Sequence, residues 1–148
     1  SAEGISFQVV PGISAANGCA AYAGIPLTHR DHAQACVFVT GHAKDGHLDL
    51  NWDSLVQPNQ TVVVYMGLIS LAQVMLELID HGADPKTLVA VVDKGTRIDQ
   101  QVVSGEIGTI VEDVENAQFE GPAIVIIGSV VSLRGRLEWF AEAEIEAS

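Results

Sequence analysis

The chain has 148 residues, 48% of them apolar and 18% charged, which suffices for one buried core and excludes a disordered segment. A net charge of −12 without a basic stripe argues against a nucleic-acid partner. No apolar run approaches the roughly 20 residues of a membrane helix and none reads as a signal peptide, so no membrane partner and a cytoplasmic location are expected.

In chain order, residues 7–10 read as the end of a connection that Pro11-Gly12 turns into a run of small residues from Ala15 to Gly24. Ser14 is placed to cap a helix over roughly 13–23, with Gly24 just past its end and Pro26 preventing continuation. The small side chains would let another surface approach closely. Thr28-His29-Arg30 follows, then a short buried strand over Ala35–Thr40. The polar stretch 41–59 allows one helical turn at 52–56, and Thr61–Met66 reads as a strong buried strand. Leu68, Leu71, Ala72, Met75, Leu78 and Ile79 fall at helical spacing, closed by Gly82. Thr87–Val92 is a further buried strand and Gln100–Ser104 an edge strand. Ile107, Ile110, Val111 and Val114 suit an amphipathic helix. Ala123–Ile127 is the last buried strand, and Arg134 to about Glu144 a final helix. The pattern predicts one α/β domain over 1–148: a single mixed sheet of about five strands with helices packed against it, most strands being covered on both faces. Cys19 and Cys36 lack metal-ligand spacing and read as buried thiols.

The acid is unevenly spread. Residues 106–148 carry nine carboxylates against Arg134 and Arg136, whereas Thr28 to His47 balances Arg30 and Lys44 against Asp31 and Asp45. That window also holds four of the five histidines, so an anionic ligand is expected there. A metal site built from His29, His32, His42 and His47 is not favoured, because the spacings match no strong zinc pattern.

Val9-Val10-Pro11-Gly12-Ile13-Ser14-Ala15 followed by Gly24-Ile25-Pro26-Leu27-Thr28-His29-Arg30 resembles the C-terminal half of the tetrapyrrole methylases, most closely the uroporphyrinogen-III C-methyltransferase branch. The resemblance continues through Val39-Thr40-Gly41-His42, Tyr65-Met66-Gly67, Gly95-Thr96, Ile127-Gly128 and Leu137-Glu138-Trp139-Phe140. It implies a second domain whose N-terminal companion, with the family's glycine-rich cofactor loops, is missing from this chain. The implied methyl donor is S-adenosylmethionine, contacted on this side by Ser14, Ala15, Met66 and Gly95. The implied substrate is uroporphyrinogen III, methylated twice to precorrin-2 on the route to sirohaem or cobalamin, by a homodimer. Ser129 stands where some relatives carry Arg, which puts any contact of that Arg in doubt.

Read from the residues alone, each site keeps a plainer alternative. Met66 is either a ligand contact or a core residue at a strand end. Gly67 would admit a ligand to the backbone. Gly95 is a ligand contact or a turn glycine with positive φ, and Ser14 can be a helix cap as well. Arg30 offers paired donors to a substrate carboxylate or forms a surface ion pair with Asp31 or another acid. Thr28 and His29 could bond the same ligand, and His42 either touches substrate or fixes its loop. No nucleophile with a base is evident, and no catalytic residue is named. Two other functions stay open: a methylase of a later corrin intermediate or of a non-tetrapyrrole substrate, and a dimerisation or lid module without catalysis.

Overall fold

The computed structural model describes residues 2–42 and 48–140. Lys44, Asp45, His47 and the expected helix end near Glu144 lie outside the described residues. Five strands, β1 (Ala35–Thr40), β2 (Gln60–Tyr65), β3 (Leu88–Asp93), β4 (Gln101–Glu106) and β5 (Ala123–Ile127), form one sheet in the order β1-β2-β5-β3-β4. β1 runs parallel to β2, β5 is antiparallel to both β2 and β3, and β4 is antiparallel to β3. Consequently β1, β2 and β3 all end at one edge of the sheet, where β5 begins.

The β-branched runs Val62-Val63-Val64, Val89 to Val92 and Ile124 to Ile127 explain the three inner strands. They are buried on both faces, so their sequences are continuous in apolar residues rather than alternating. One face is covered by α2 (Trp52–Leu55), α3 (Leu71–Asp80) and α4 (Ile110–Ala117). They bring Trp52, Leu71, Met75, Leu78, Ile110 and Val114 into a core with Val62, Val64, Val89, Val91 and Val125. The other face carries α1 (Ala15–Tyr22), residues 25–33 and a 3-10 turn at Ser129–Leu133. There Ala16, Cys19, Ala20, Ile25 and Val130 join Val63, Ala90, Val92, Ile124 and Ile126. The alternation of partners along each strand, one residue to one face and the next to the other, is the two-residue period of a pleated strand.

Two expectations need correction. The stretch Ala35–Thr40 is a strand, but not a buried one: β1 has a neighbour on one side only, and Ala35, Phe38 and Thr40 are exposed. The final helix is α5 (Arg134–Leu137), and Glu138 is already extended (φ −62°, ψ 121°). Tertiary contacts end it. The Trp139 indole N–H donates to the Ala21 carbonyl at 2.9 Å, and Tyr22 packs on the rings of Trp139 and Phe140 at 5.0 and 4.9 Å. A side chain at position 24 would meet the backbone of Leu137 and Glu138 at 2.7 Å, so Gly24 (φ +67°) is what lets this segment cross the end of α1.

Because β5 is the middle strand, a cavity beneath it cannot be relieved by movement at a sheet edge. Ile126→Ala should therefore cost about 2–5 kcal/mol in a denaturant melt, while Ile98→Ala, at an exposed position, should stay within about 0.5 kcal/mol of the parent. Equal effects at both positions would contradict this account of the core.

Candidate functional site

The edge where β1, β2 and β3 end holds two adjoining hollows of about 590 and 340 Å³. Both are lined by Met66 and by Gly121, Pro122 and Ala123 at the start of β5. The larger adds Gly41, His42, Leu68, Ile69 and Ser70; the smaller adds Ala15, Cys19, Tyr65, Lys94, Gly95 and Arg97. Together they make an open, largely apolar groove at the carboxyl ends of parallel strands, where open α/β sheets bind ligands. A smaller hollow of about 240 Å³ lies at the opposite edge, beside His32, Pro58 and Ser129.

The entry of α1 is built against this groove. Ser14 is extended (φ −69°, ψ 153°) and its Oγ accepts the Asn17 N–H at 3.4 Å, the expected cap. The next free amide, Ala16 N–H, donates to Tyr65 Oη at 3.2 Å. Tyr65 is in turn met edge-on by the Phe38 ring, 6.1 Å away. The last residue of β2 thus fastens the first turn of α1 to the edge of the sheet, and Ala15 faces the groove.

Met66 follows with φ +52°, a left-handed backbone that non-glycine residues rarely adopt, and remains 56% exposed. A core role for Met66 is thereby excluded. Gly67 does something other than admit a ligand: a side chain there would lie 3.0 Å from both Val64 and Val125. At Gly41 it would lie 2.8 Å from Gly67 Cα and from Ser70 Oγ. The two glycines let the exits of β1 and β2 touch, and Ser70 Oγ seals the junction by donating to the Gly41 carbonyl at 2.7 Å.

Gly95 has ordinary φ, so it is not a positive-φ turn glycine; its flanks Lys94 (φ +50°) and Thr96 (φ +70°) carry the left-handed conformation instead. A methyl group at position 95 would collide with Cys19 Sγ, which burial keeps as a protonated thiol by raising its pKa. The rim outside Gly95 is charged. Lys94 Nζ donates to Glu120 at 3.1 Å and lies 3.8 Å from Asp99, while Arg97 forks onto Asp99 at 2.8 and 3.2 Å. The bond from Arg97 holds the Asp99 carboxyl below its usual range, and the bond to Glu120 raises Lys94. The sign for Asp99 is that of a depressed carboxylate: its contribution is present above the unfolded pKa and lost as pH falls through the lower folded one.

The structure gathers Ala15, Met66, Gly95 and His42 along one groove, with Ser14 capping the helix at its side. It sets Thr28, His29 and Arg30 elsewhere. Their loop is closed by the His29–Ala33 bridge, and the Gln34 N–H donates to Asn59 O where β1 and β2 start. Ser129 Oγ, just past the end of β5, donates to the His32 carbonyl at 3.2 Å. This is the opposite edge of the sheet. Arg30 joins none of the ion pairs among the described residues; Asp31 instead lies 3.9 Å from His29 Nδ1. The groove also uses two residues to which the sequence assigns no role, Tyr65 and Gln100. Gln100 is buried, accepting the Thr96 N–H at 2.8 Å and donating to the Tyr22 carbonyl at 3.4 Å. The one sequence signal for it is an amide in front of an apolar strand beside a Gly-Thr turn.

A sequence model of the tetrapyrrole (corrin/porphyrin) methylases matches residues 1–111. The chain belongs to the tetrapyrrole methylases. Among curated members it is 59% identical over 136 residues to a siroheme synthase of Hahella chejuensis, covering 92% of this chain and 29% of that one. It is 51% identical over 146 residues to the siroheme synthase of Pseudomonas aeruginosa, covering 99% and 31%. This methylase chain therefore spans under a third of the length of those relatives. Its fold is similar to that of the uroporphyrin-III C-methyl transferase of Thermus thermophilus in complex with S-adenosyl homocysteine, with a TM-score of 0.73 at 26% identity over 89% of this chain and 57% of that one. A cobalt precorrin-4 methyltransferase shares the fold with a TM-score of 0.78 at 22% identity, covering 88% and 55%.

The seating of Cys19 over Gly95 yields a test. Gly95→Ala should lower the melting temperature of this methylase chain, and adding Cys19→Ala should recover part of the loss, because the collision is with the sulfur. A double variant no better than Gly95→Ala alone would place the strain elsewhere.

Proposed function

We propose that the chain forms one wall of the S-adenosylmethionine site of a uroporphyrinogen-III C-methyltransferase, which makes precorrin-2 for sirohaem. The observation that carries this reading is the meeting of Ala15, Met66 and Gly95, distant in sequence, around one groove. The curated siroheme synthases favour the sirohaem route over a later corrin intermediate.

The residues present fit an adenosyl thioether. The groove is apolar and wide, Met66 offers a soft, polarisable side chain for an adenine face, and Ala15 and Gly95 leave backbone within reach of the ligand. When bound, S-adenosylmethionine supplies an electrophilic methyl group on sulfur. This chain's part is to hold and orient: α1 presents its capped first turn, Met66 covers one side, and the Lys94–Glu120 pair closes the rim. Alignment of donor and acceptor is the main demand of such a transfer, because an electron-rich pyrrole carbon is its own nucleophile.

The groove is open on one side, and Ile5, Phe7, Val9, Val10 and Ile13 of the segment leading into α1 are exposed. Both features support a site completed by an N-terminal domain of the same protein; a cytoplasmic homodimer belongs to the same proposal. His42 is the substrate-side residue of this groove. Thr28, His29 and Arg30 remain substrate residues in this reading through the assembled protein, since within the chain they sit at the far edge.

Titration of S-adenosylhomocysteine into the intact protein and into this chain alone tests the reading. Binding to the intact protein with little or none to the chain is expected. Binding to neither overturns the site, and micromolar binding by the chain alone overturns its division between domains. In the intact protein Met66→Ala should weaken S-adenosylhomocysteine by about tenfold, the order expected from uncovering one large apolar side chain. Arg30→Ala should raise KM for uroporphyrinogen and leave S-adenosylhomocysteine affinity unchanged; an unchanged KM removes Arg30 from the substrate site.

A further inference from the structure

We propose that Gln100 is a positioning residue of this groove, whose buried amide holds the Lys94–Thr96 loop in the conformation that presents Gly95 to the ligand. The inference rests on the reading of the groove as an S-adenosylmethionine site.

The loop needs such a device. Lys94 and Thr96 both have positive φ, at +50° and +70°. For a β-branched residue such as Thr96 this is a genuine outlier, and such conformations persist only where the surroundings over-determine them. Turn hydrogen bonds from Arg97 N–H to Lys94 O and from Gln100 N–H to Arg97 O close the loop, the first around Gly95 and Thr96, but leave the Thr96 N–H itself to another partner. Gln100 is that partner. The residue is 5% exposed, its Oε1 accepts the Thr96 N–H at 2.8 Å, and its Nε2 donates to the Tyr22 carbonyl at 3.4 Å. Tyr22 is the last residue of α1, so its carbonyl has no successor within the helix to bond it.

One amide therefore ties the strained peptide beside Gly95 to the end of α1. On the other side, a side chain at Gly18 would lie 3.2 Å from the Thr96 methyl, so the helix itself backs the loop. The same helix carries Ala15 into the groove at its other end. Gln100 thereby fixes the spacing between two walls of the groove, Gly95 and α1, without lining it. An apolar residue of equal size would fill the same space and leave the Thr96 N–H without this partner, so that only the long Arg97 N–H to Lys94 O turn bond at 3.2 Å would oppose relaxation of φ at position 96.

The experiment measures S-adenosylhomocysteine affinity by calorimetry, alongside the melting temperature, in the intact protein. Gln100→Met should weaken binding on the order of tenfold, the range for losing one good and one long hydrogen bond. Adding Thr96→Asn should recover at least a third of that loss on a logarithmic scale, because Asn enters the left-handed region far more readily than Thr. Gln100→Asn, whose shorter side chain withdraws from Thr96, gives the same reading should Gln100→Met fail to fold. A lowered melting temperature with unchanged affinity overturns the proposal, since the residue would then be structural only. Weakened binding that Thr96→Asn does not restore overturns it too. No binding by the unsubstituted protein overturns the underlying site reading, and this inference with it.

Discussion

The groove depends on one insertion: β5 lies antiparallel between β2 and β3, which run parallel to each other. Had β2 and β3 been neighbours, their exits would lie side by side, about 4.8 Å apart, and the turns after them would compete for the same space. With β5 between them the exits are two strand spacings apart, and the chain entering β5 passes between them. Gly121, Pro122 and Ala123 form the floor there, Met66 stands over one side and Gly95 over the other. The site is thus a product of strand order. Local sequence chooses what lines it.

The second constraint is backbone proximity, and here the glycines have a common logic. Gly41, Gly67 and Gly95 all sit at strand exits, and at each the missing side chain makes room for protein. Gly41 touches Gly67, Gly67 receives Val64 and Val125, and Gly95 receives Cys19. Left-handed backbone falls on their neighbours, Met66, Lys94 and Thr96. The usual inference from a glycine at a strand exit, that it turns the chain with a positive φ, would have misassigned all three. A close-packed floor also has little room to adjust, which suits the task of alignment proposed for it.

The fold was legible because its strands are apolar runs and its helices punctuated ones. Ala123–Ile127 and the Ser14 cap were readable to the residue. What a single sequence cannot carry is lateral order. Ala35–Thr40 is as apolar as an inner strand, yet it lies at the edge of the sheet, because burial depends on which neighbours arrive. The last helix failed for a related reason: Tyr22 and Ala21, more than a hundred residues upstream, draw Trp139 and Phe140 out of helical geometry. At the site, the family motifs pointed to the groove residues, and Met66 and Gly95 were brought together as that resemblance implied. Thr28-His29-Arg30 was grouped with His42 through charge balance and proximity in sequence, but a strand lies between them. β1 carries His42 to the carboxyl edge and leaves Arg30 at the other. Six residues of extended chain separate the two by roughly 20 Å.

That separation bears on what kind of object the chain is. Its two cores are complete: the inner strands are covered on both faces without help from residues 2–14. Yet Ile5, Phe7, Val9, Val10 and Ile13 are exposed, as are Phe38, Met66, Ile69 and Ile98. Scattered singly, exposed apolar residues need no explanation. Here five fall within nine residues leading into α1, and Met66 and Ile69 line the groove that α1 borders. Met66 in addition holds a strained backbone that internal packing does not require of an exposed side chain. A chain that can bury its core without these residues, and still exposes Met66 and Ile69 in a large apolar groove beside the helix that the others lead into, has the surface expected of half a site. The proposed division of the S-adenosylmethionine pocket between two domains accounts for the exposed segment, the open groove and the strain at Met66 together, whereas a self-contained lid would account only for the first.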